Sequence, residues 1–232
     1  MSNKKYYMVI DTETCGDYVF DIGYRVIDRK NNCVACASYV VKEFIDNPAM
    51  LDMFNDRFTR DKIGKYYFDL WAGNGGFVVK SFADIRSQIN ALVKVYNCTI
   101  CAYNIAFDIN HLDKTAHMFN LDGFFAGDVT TLDIWHAAMS VLGTNTYIKF
   151  CIDNDFITNV GNIKTGAEIM YRYITNNVSF DEAHTAHEDC IIECEILCKC
   201  FSRKKHFETS TVGACIHNKE WQRIQQSYKE FN

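Results

Sequence analysis

The sequence predicts an α/β fold, in which a mixed β-sheet carries helices on its faces. Three strand-like segments follow one another closely at the start of the chain, at 6–10, 20–28 and 32–42. The short turns between them favour antiparallel pairing. From residue 81 onward, segments of helical and strand-like periodicity alternate, as is typical of helices packed on a sheet.

A single polar residue marks the start of the first long helix. Ser81 precedes the segment 82–96, whose apolar residues recur at helical spacing, so its hydroxyl is expected to cap that helix. Short buried strands are predicted at 98–102 and 129–132, whereas 147–163 shows no clear period. Further helices are predicted at 105–119, 133–142, 165–175 and 219–231, and the segment from 181 leads into another helix that runs to about 201.

Length and composition indicate one well-packed domain. The chain has 232 residues, of which 48 % are hydrophobic and 23 % charged, an ordinary globular balance. The net charge of −5 means that no overall basic field attracts nucleic acid. It does not exclude such a partner, because metal-binding acids lower the net charge while the bound cations supply positive charge locally.

Cysteine content and the N-terminus indicate a reducing compartment. There are 11 cysteines, and the first residues lead directly into a strand without a secretory signal. No stretch approaches the length of a membrane span. A cytoplasmic protein without a membrane partner is therefore expected.

The domain is predicted to occupy 1–201, followed by a tail at 202–232 that is helical and packed on it. An insertion at about 44–80 is rich in aromatic residues and carries Arg57, Arg60, Lys62 and Lys65. It fits either a small hydrophobic cluster with a solvated basic face, or a platform that stacks bases and contacts phosphates.

Two acidic residues follow the first predicted strand. Residues i and i+2 of a strand point to the same face, so Asp11 and Glu13 are expected side by side at its carboxyl end. Two like charges at that distance are unfavourable unless one is protonated or a cation lies between them. A hard divalent cation with oxygen ligands meets this need. Alone, the pair would more simply be a solvated acidic turn.

Two later segments strengthen the metal interpretation. Asn104 ends a predicted strand and is positioned to cap the next helix, whose first turn contains Asp108. His184 lies in a loop, five residues before Asp189 at the start of another helix. Each segment alone is commonly an ordinary helix start.

Together, the pattern D-x-E, N-x-x-F-D and H-x4-D resembles the DEDDh (DnaQ-like) family of 3′→5′ exonucleases. The resemblance covers about 6–201, with 44–80 as a long insertion. It implies a ribonuclease H-like sheet of five strands in the order 3-2-1-4-5, with strand 2 antiparallel.

The resemblance also implies roles for the matching residues. His184 would be the general base of a two-metal mechanism, with Mg²⁺ or Mn²⁺ as the cofactor, two ions per site. His187 competes for the same role, but it lies two residues before Asp189 and so points roughly 200° away around the helix. The metal ligands would be Asp11, Glu13, Asp108 and Asp189.

The resemblance also implies weak substrate contacts from two residues of these motifs. Thr12 lies within the first motif, and Asn104 begins the second. Both are weaker candidates than the acids and the histidine.

The function predicted from this resemblance is a metal-dependent exonuclease that acts at the 3′ end of nucleic acid, with DNA favoured, in replication or repair. An RNA-directed exonuclease and a non-catalytic nucleic-acid-binding or scaffold module are the alternatives. A DNA polymerase or replication complex is the protein partner that such an enzyme suggests.

Overall fold

A seven-stranded mixed sheet forms the centre of the protein. The structure is a computed structural model that describes residues 5–47, 78–211 and 219–231. The strands are ordered β4-β3-β2-β1-β5-β6-β7. Their bounds are β1 Tyr7–Cys15, β2 Tyr18–Ile27, β3 Cys33–Val41, β4 Val78–Lys80, β5 Thr99–Ala102, β6 Thr130–Asp133 and β7 Ser210–Thr211.

Helices connect and cover the strands. Ser81 caps the first long helix as predicted, since its hydroxyl accepts a hydrogen bond from the amide of Asp84. Helix α5 begins just before the segment that showed no clear period and covers its first part. The helices are α1 Lys42–Asp46, α2 Phe82–Tyr96, α3 Ile105–Met118, α4 Ile134–Val141, α5 Asn145–Asp153, α6 Ala167–Thr175, α7 Ala186–Arg203 and α8 Lys219–Phe231.

The pairing of the strands confirms the predicted fold class. β1 and β3 both run antiparallel to β2, while β5 runs parallel to β1 and β6 parallel to β5. These five strands reproduce the order 3-2-1-4-5 of the ribonuclease H-like sheet. The predicted strand count was too low, because the short edge strands β4 and β7 extend the sheet on both sides.

Strand β1 separates two hydrophobic clusters of the described residues. Its side chains alternate between faces, so Met8 and Ile10 pack in the core shared with α2 and α3, whereas Tyr7 and Val9 pack on the face covered by α7. By the same alternation, Thr12 points toward α3, and Asp11 and Glu13 point toward α7. This alternation positions the acidic residues described below.

The C-terminal helix α8 packs on the α7 side of the sheet. Ile224 is fully buried there, and the Gln225 side chain both accepts a hydrogen bond from the Ile163 amide and donates one to its carbonyl. Arg223 donates hydrogen bonds to the carbonyl oxygens of Met139 and Gly143.

Most of the predicted insertion, including its four basic residues, lies outside the described residues, and both interpretations of it stay predictions. In the described part of the chain, no helix combines the length and the apolar character needed to cross a membrane.

Candidate active site

Strand β1 brings two carboxylates to the site, within the strand rather than after it. The prediction that this strand ends at Ile10 was wrong, because β1 continues to Cys15 through its pairing with β2. The parallel strand β5, however, pairs only with Tyr7–Val9. Asp11 and Glu13 therefore lie on the part of β1 that extends beyond the carboxyl end of β5.

Helix α7 brings the third carboxylate. It starts at Ala186 and not at Asp189, with Thr185 as the N-cap whose hydroxyl accepts a hydrogen bond from the Glu188 amide. Asp189 consequently lies in the first turn, where the helix dipole favours a negative charge.

Two residues of β2 fix where α7 begins. The buried Asp21 accepts a hydrogen bond from the Ala186 amide at 3.1 Å, which adds a partner for an amide at the helix start. Beside it, the backbone of Ala186 passes so close to Gly23 that a Cβ at Gly23 would lie 2.1 Å from the Ala186 carbonyl oxygen. Because Gly23 pairs directly with Asp11, this contact sets α7 against the acidic part of β1.

Asp11, Glu13 and Asp189 form a compact group. One carboxylate oxygen from each lies within 4.8 Å of the others, and Glu13 and Asp189 are each 7 % exposed. Asp11 Oδ2 is buried and has no hydrogen-bond partner among the described residues. A buried carboxylate oxygen without a partner, next to two further carboxylates, fits a hard divalent cation with oxygen ligands.

Asp108 reaches the site from the opposite face of β1. It is 3 % exposed in the first turn of α3, and it is not one of the three residues in the compact group. Its Oδ1 atom accepts a hydrogen bond from the Thr12 hydroxyl at 2.8 Å. The Thr12 side chain therefore orients Asp108, and a substrate contact from Thr12 stays a prediction.

A fifth acid, which is buried, lies beside this group and was not predicted. Glu193 is 3 % exposed on α7, one turn after Asp189, and its Oε2 atom accepts a hydrogen bond from the Tyr103 amide at 3.2 Å. The spacing Asp189-x3-Glu193 is visible in the sequence and places both carboxylates on one helix face. Only the packing of α7 on β1 and β2, with the hydrogen bond to Tyr103, shows that this face points into the site.

Burial raises the pKa values of Asp11 and Asp108. Burial is the main cause for Asp11, whose pKa is raised well above its ordinary value, followed by the charges of Glu193, Asp108, Asp189 and Glu13. Burial likewise raises the pKa of Asp108 to about 7, against the opposing effect of the Thr12 hydrogen bond. A bound cation would remove this repulsion, because positive charge favours the ionised carboxylates.

The two candidate bases occupy different environments. His184 lies in the loop before α7 with a positive φ of 55°, and its side chain is 48 % exposed. Its Nδ1 atom is 3.6 Å from Glu182 Oε2. His187 is half-buried in the first turn of α7.

Solved structures with the same fold come from nucleases. The nuclease domain of 3′hExo, a DEDDh family member bound to rAMP, matches 87 % of this chain and 94 % of its own at a TM-score of 0.55 and 11 % identity. Exonuclease I of E. coli in complex with a dA16 oligonucleotide matches 87 % of this chain at a TM-score of 0.54 and 13 % identity. The match spans 42 % of the exonuclease I chain.

The chain has the fold of the DEDDh exonucleases. The resemblance carried by the three motifs is thus confirmed for the fold. No protein-family model matches the sequence, and no curated protein matches it significantly.

One detail of the second motif differs from the prediction. Asn104 occupies the N-cap position of α3, but it has a left-handed backbone with φ of 71° and makes no side-chain capping bond. Its side chain is exposed, and its role in substrate binding stays a prediction. Phe107, next to Asp108, is also 42 % exposed, and its ring centroid lies 4.1 Å from that of His111.

Proposed function

We propose that this protein is a metal-dependent exonuclease that hydrolyses phosphodiester bonds at the 3′ end of nucleic acid. The observation that supports it most directly is the group of Asp11, Glu13 and Asp189, with oxygens within 4.8 Å of one another, in the fold of the DEDDh exonucleases. A structural or binding module has no physical need for carboxylates that converge in the protein interior.

The acids of the site would hold two divalent cations, Mg²⁺ or Mn²⁺. Asp11, Glu13 and Asp189 offer converging oxygens, and Asp108 offers a carboxylate whose orientation is fixed by Thr12. When bound, the cations supply positive charge that offsets the charge on the reacting phosphate and lowers the pKa of the attacking water. Oxygen-only donors of this kind suit hard cations better than zinc.

His184 would take the proton from the attacking water. Its Nδ1 atom lies 3.6 Å from Glu182 Oε2, and a neutral imidazole can accept a proton near neutral pH. A nearby carboxylate also stabilises the imidazolium that results. Because half of the His184 side chain is exposed, the ring can reach a substrate that enters from solvent.

DNA is the favoured substrate, and RNA is the alternative that the same site could accept. Exonuclease I was solved with a DNA oligonucleotide, whereas the 3′hExo domain was solved with rAMP. The distinction depends on how a site treats the 2′-hydroxyl. A polymerase or replication partner and a cytoplasmic location stay predictions from the sequence.

The decisive experiment is digestion of 5′-labelled single- and double-stranded DNA and RNA by the purified full chain with Mg²⁺, Mn²⁺ or EDTA. We expect a ladder that shortens from the 3′ end with either cation and no cleavage with EDTA. A substrate blocked at its 3′ end with a phosphorothioate linkage should resist degradation.

The test variant is Asp11→Asn, which removes one acid of the group. The matched control is Asp17→Asn, on the exposed turn of the same hairpin. Activity that persists in Asp11→Asn, or that survives EDTA, would contradict the proposal. Internal cleavage of a circular substrate would show an endonuclease instead.

A further inference from the structure

The fifth acid of the site, Glu193, is not part of the motif pattern of the sequence. It is placed one helical turn after Asp189, so the two carboxylates leave the same face of α7. Glu193 is 3 % exposed, which is rare for a glutamate that is not held by partners. Its position therefore needs a physical reason.

One reason is visible in its hydrogen bond. Glu193 Oε2 accepts the Tyr103 amide at 3.2 Å. Tyr103 directly follows β5 and lies two residues before α3, which carries Asp108. The bond thus joins the helix that carries Asp189 to the junction that leads to Asp108.

The hydrogen bond alone does not explain a carboxylate at this place. A glutamine would accept the same amide without carrying charge into the interior. Within the described part of the chain, no lysine or arginine forms an ion pair with Asp11, Asp108 or Glu193. Burial and the charges of Asp108 and Asp189 raise the pKa of Glu193 well above its ordinary value. Among the neighbouring charges that raise the pKa of Asp11, the charge of Glu193 has the largest effect.

We propose that Glu193 is a positioning residue of the cation site that also supplies part of its negative charge. It holds the β5–α3 junction against α7 through the Tyr103 amide, and its carboxylate increases the affinity of the neighbouring acids for divalent cations. This inference rests on the proposed function, because it assumes that Asp11, Glu13 and Asp189 bind cations.

The test separates the hydrogen bond from the charge. Glu193→Gln keeps an acceptor for the Tyr103 amide but loses the charge, whereas Glu193→Ala loses both. Glu195→Gln is the matched control, because Glu195 is on the same helix but about 200° around it from Glu193. Mn²⁺ binding to the full chain would be measured by isothermal titration calorimetry without nucleic acid, and melting temperatures would be measured in EDTA.

We expect Glu193→Gln to raise the Kd for Mn²⁺ by about 10–100-fold, the usual effect of removing a group that supports metal ligands. Its melting temperature in EDTA should equal or exceed that of the wild type, because one buried charge is gone. Glu193→Ala should weaken Mn²⁺ binding and also lower the melting temperature, because the Tyr103 amide loses its acceptor. Glu195→Gln should match the wild type in both measurements.

An unchanged Mn²⁺ affinity in Glu193→Gln would overturn the proposal, as would an equal loss of affinity in Glu195→Gln. In either case, wild-type Mn²⁺ binding and cation-dependent cleavage would leave the proposed function intact. A wild-type chain that binds neither Mn²⁺ nor Mg²⁺ would overturn both.

Discussion

The Thr12 hydroxyl donates a hydrogen bond to Asp108 Oδ1 at 2.8 Å, and the two residues are 96 positions apart in the chain. Thr12 lies between Asp11 and Glu13, so its side chain points to the opposite face of β1 from theirs. The bond connects the strand that carries two acids to the helix that carries another. It also opposes the effect of burial on the pKa of Asp108.

Thr12→Val should impair cleavage at neutral pH while keeping the size and β-branching of the side chain. Without the hydroxyl, the pKa of Asp108 rises above about 7, so less of the carboxylate is ionised and able to bind a cation. Loss of one such hydrogen bond, ~1.4 kcal/mol, corresponds to about a tenfold lower rate at pH 7. The acid limb of the pH–rate profile should shift to higher pH, and Thr12→Ser, which keeps the hydroxyl, should restore the wild-type profile. A profile in Thr12→Val that coincides with the wild type would contradict this role.

The cation-free protein should lose stability as pH rises. The folded pKa of Asp108 is about 7, above its ordinary value of 3.8, so the folded state retains a proton that the unfolded chain releases. The stabilisation that comes from this retained proton is fully present below about pH 4 and is lost as pH rises toward 7. Its size is on the order of 1.4 kcal/mol for each unit by which the folded and unfolded pKa values differ. The buried Asp11 and Glu193, whose pKa values are also raised, act in the same direction.

Urea unfolding of the EDTA-treated protein between pH 5 and 8 measures this slope. Asp108→Asn should reduce it, whereas Asp122→Asn, at an exposed carboxylate, should not. Stability that increases across this range would show that the pKa values of these acids are not raised in the folded state.

Asp11→Asn should remove cleavage without unfolding the protein. The variant loses a charge from a buried group of acids, so its melting temperature in EDTA should equal or exceed that of the wild type. Addition of Mn²⁺ should raise the melting temperature of the wild type by more than that of the variant. An Asp11→Asn protein that melts well below the wild type would indicate a structural role for this carboxylate.

Gly23→Ala should displace the start of α7. A Cβ at this position would meet the Ala186 carbonyl oxygen at 2.1 Å, so the helix start must move, at a cost of about 1–3 kcal/mol. Since that helix start carries Asp189 and follows His184, activity should fall together with stability. Gly166→Ala is the control, because an added Cβ there meets nothing within 4 Å. Equal unfolding midpoints for the two variants would argue against a close contact between β2 and α7.

His184→Ala should lower the rate by about 10²–10⁴-fold, the usual contribution of a general base. His187→Ala should have a much smaller effect, because its position in the helix turns it away from Asp189. Rates at saturating cation and substrate would compare the two variants directly. The opposite order of effects would assign the role of base to His187.

Local spacing was enough to predict the main features of the fold. Alternation along β1 predicts that Asp11 and Glu13 share a face, and the structure brings them together with Asp189. The Ser81 cap and the bounds of α2 agree with the sequence because hydroxyl caps and helical periodicity act within a few residues. The continuation of β1 to Cys15 was missed, because it depends on pairing with β2 and not on the composition of β1 itself.

Contacts between distant segments could not be read from the chain in the same way. The bonds Thr12–Asp108, Tyr103–Glu193 and Ala186–Asp21 join residues 90 or more positions apart. Each of these hydrogen bonds depends on the rotation of a helix about its axis and on the position of that helix along the sheet. The sequence does not fix the rotation, because several rotations satisfy the same hydrophobic pattern. Packing against the sheet selects one of these rotations. The spacing of Glu193 from Asp189 was already present in the sequence, but only the selected rotation directs Glu193 toward the acids of the site.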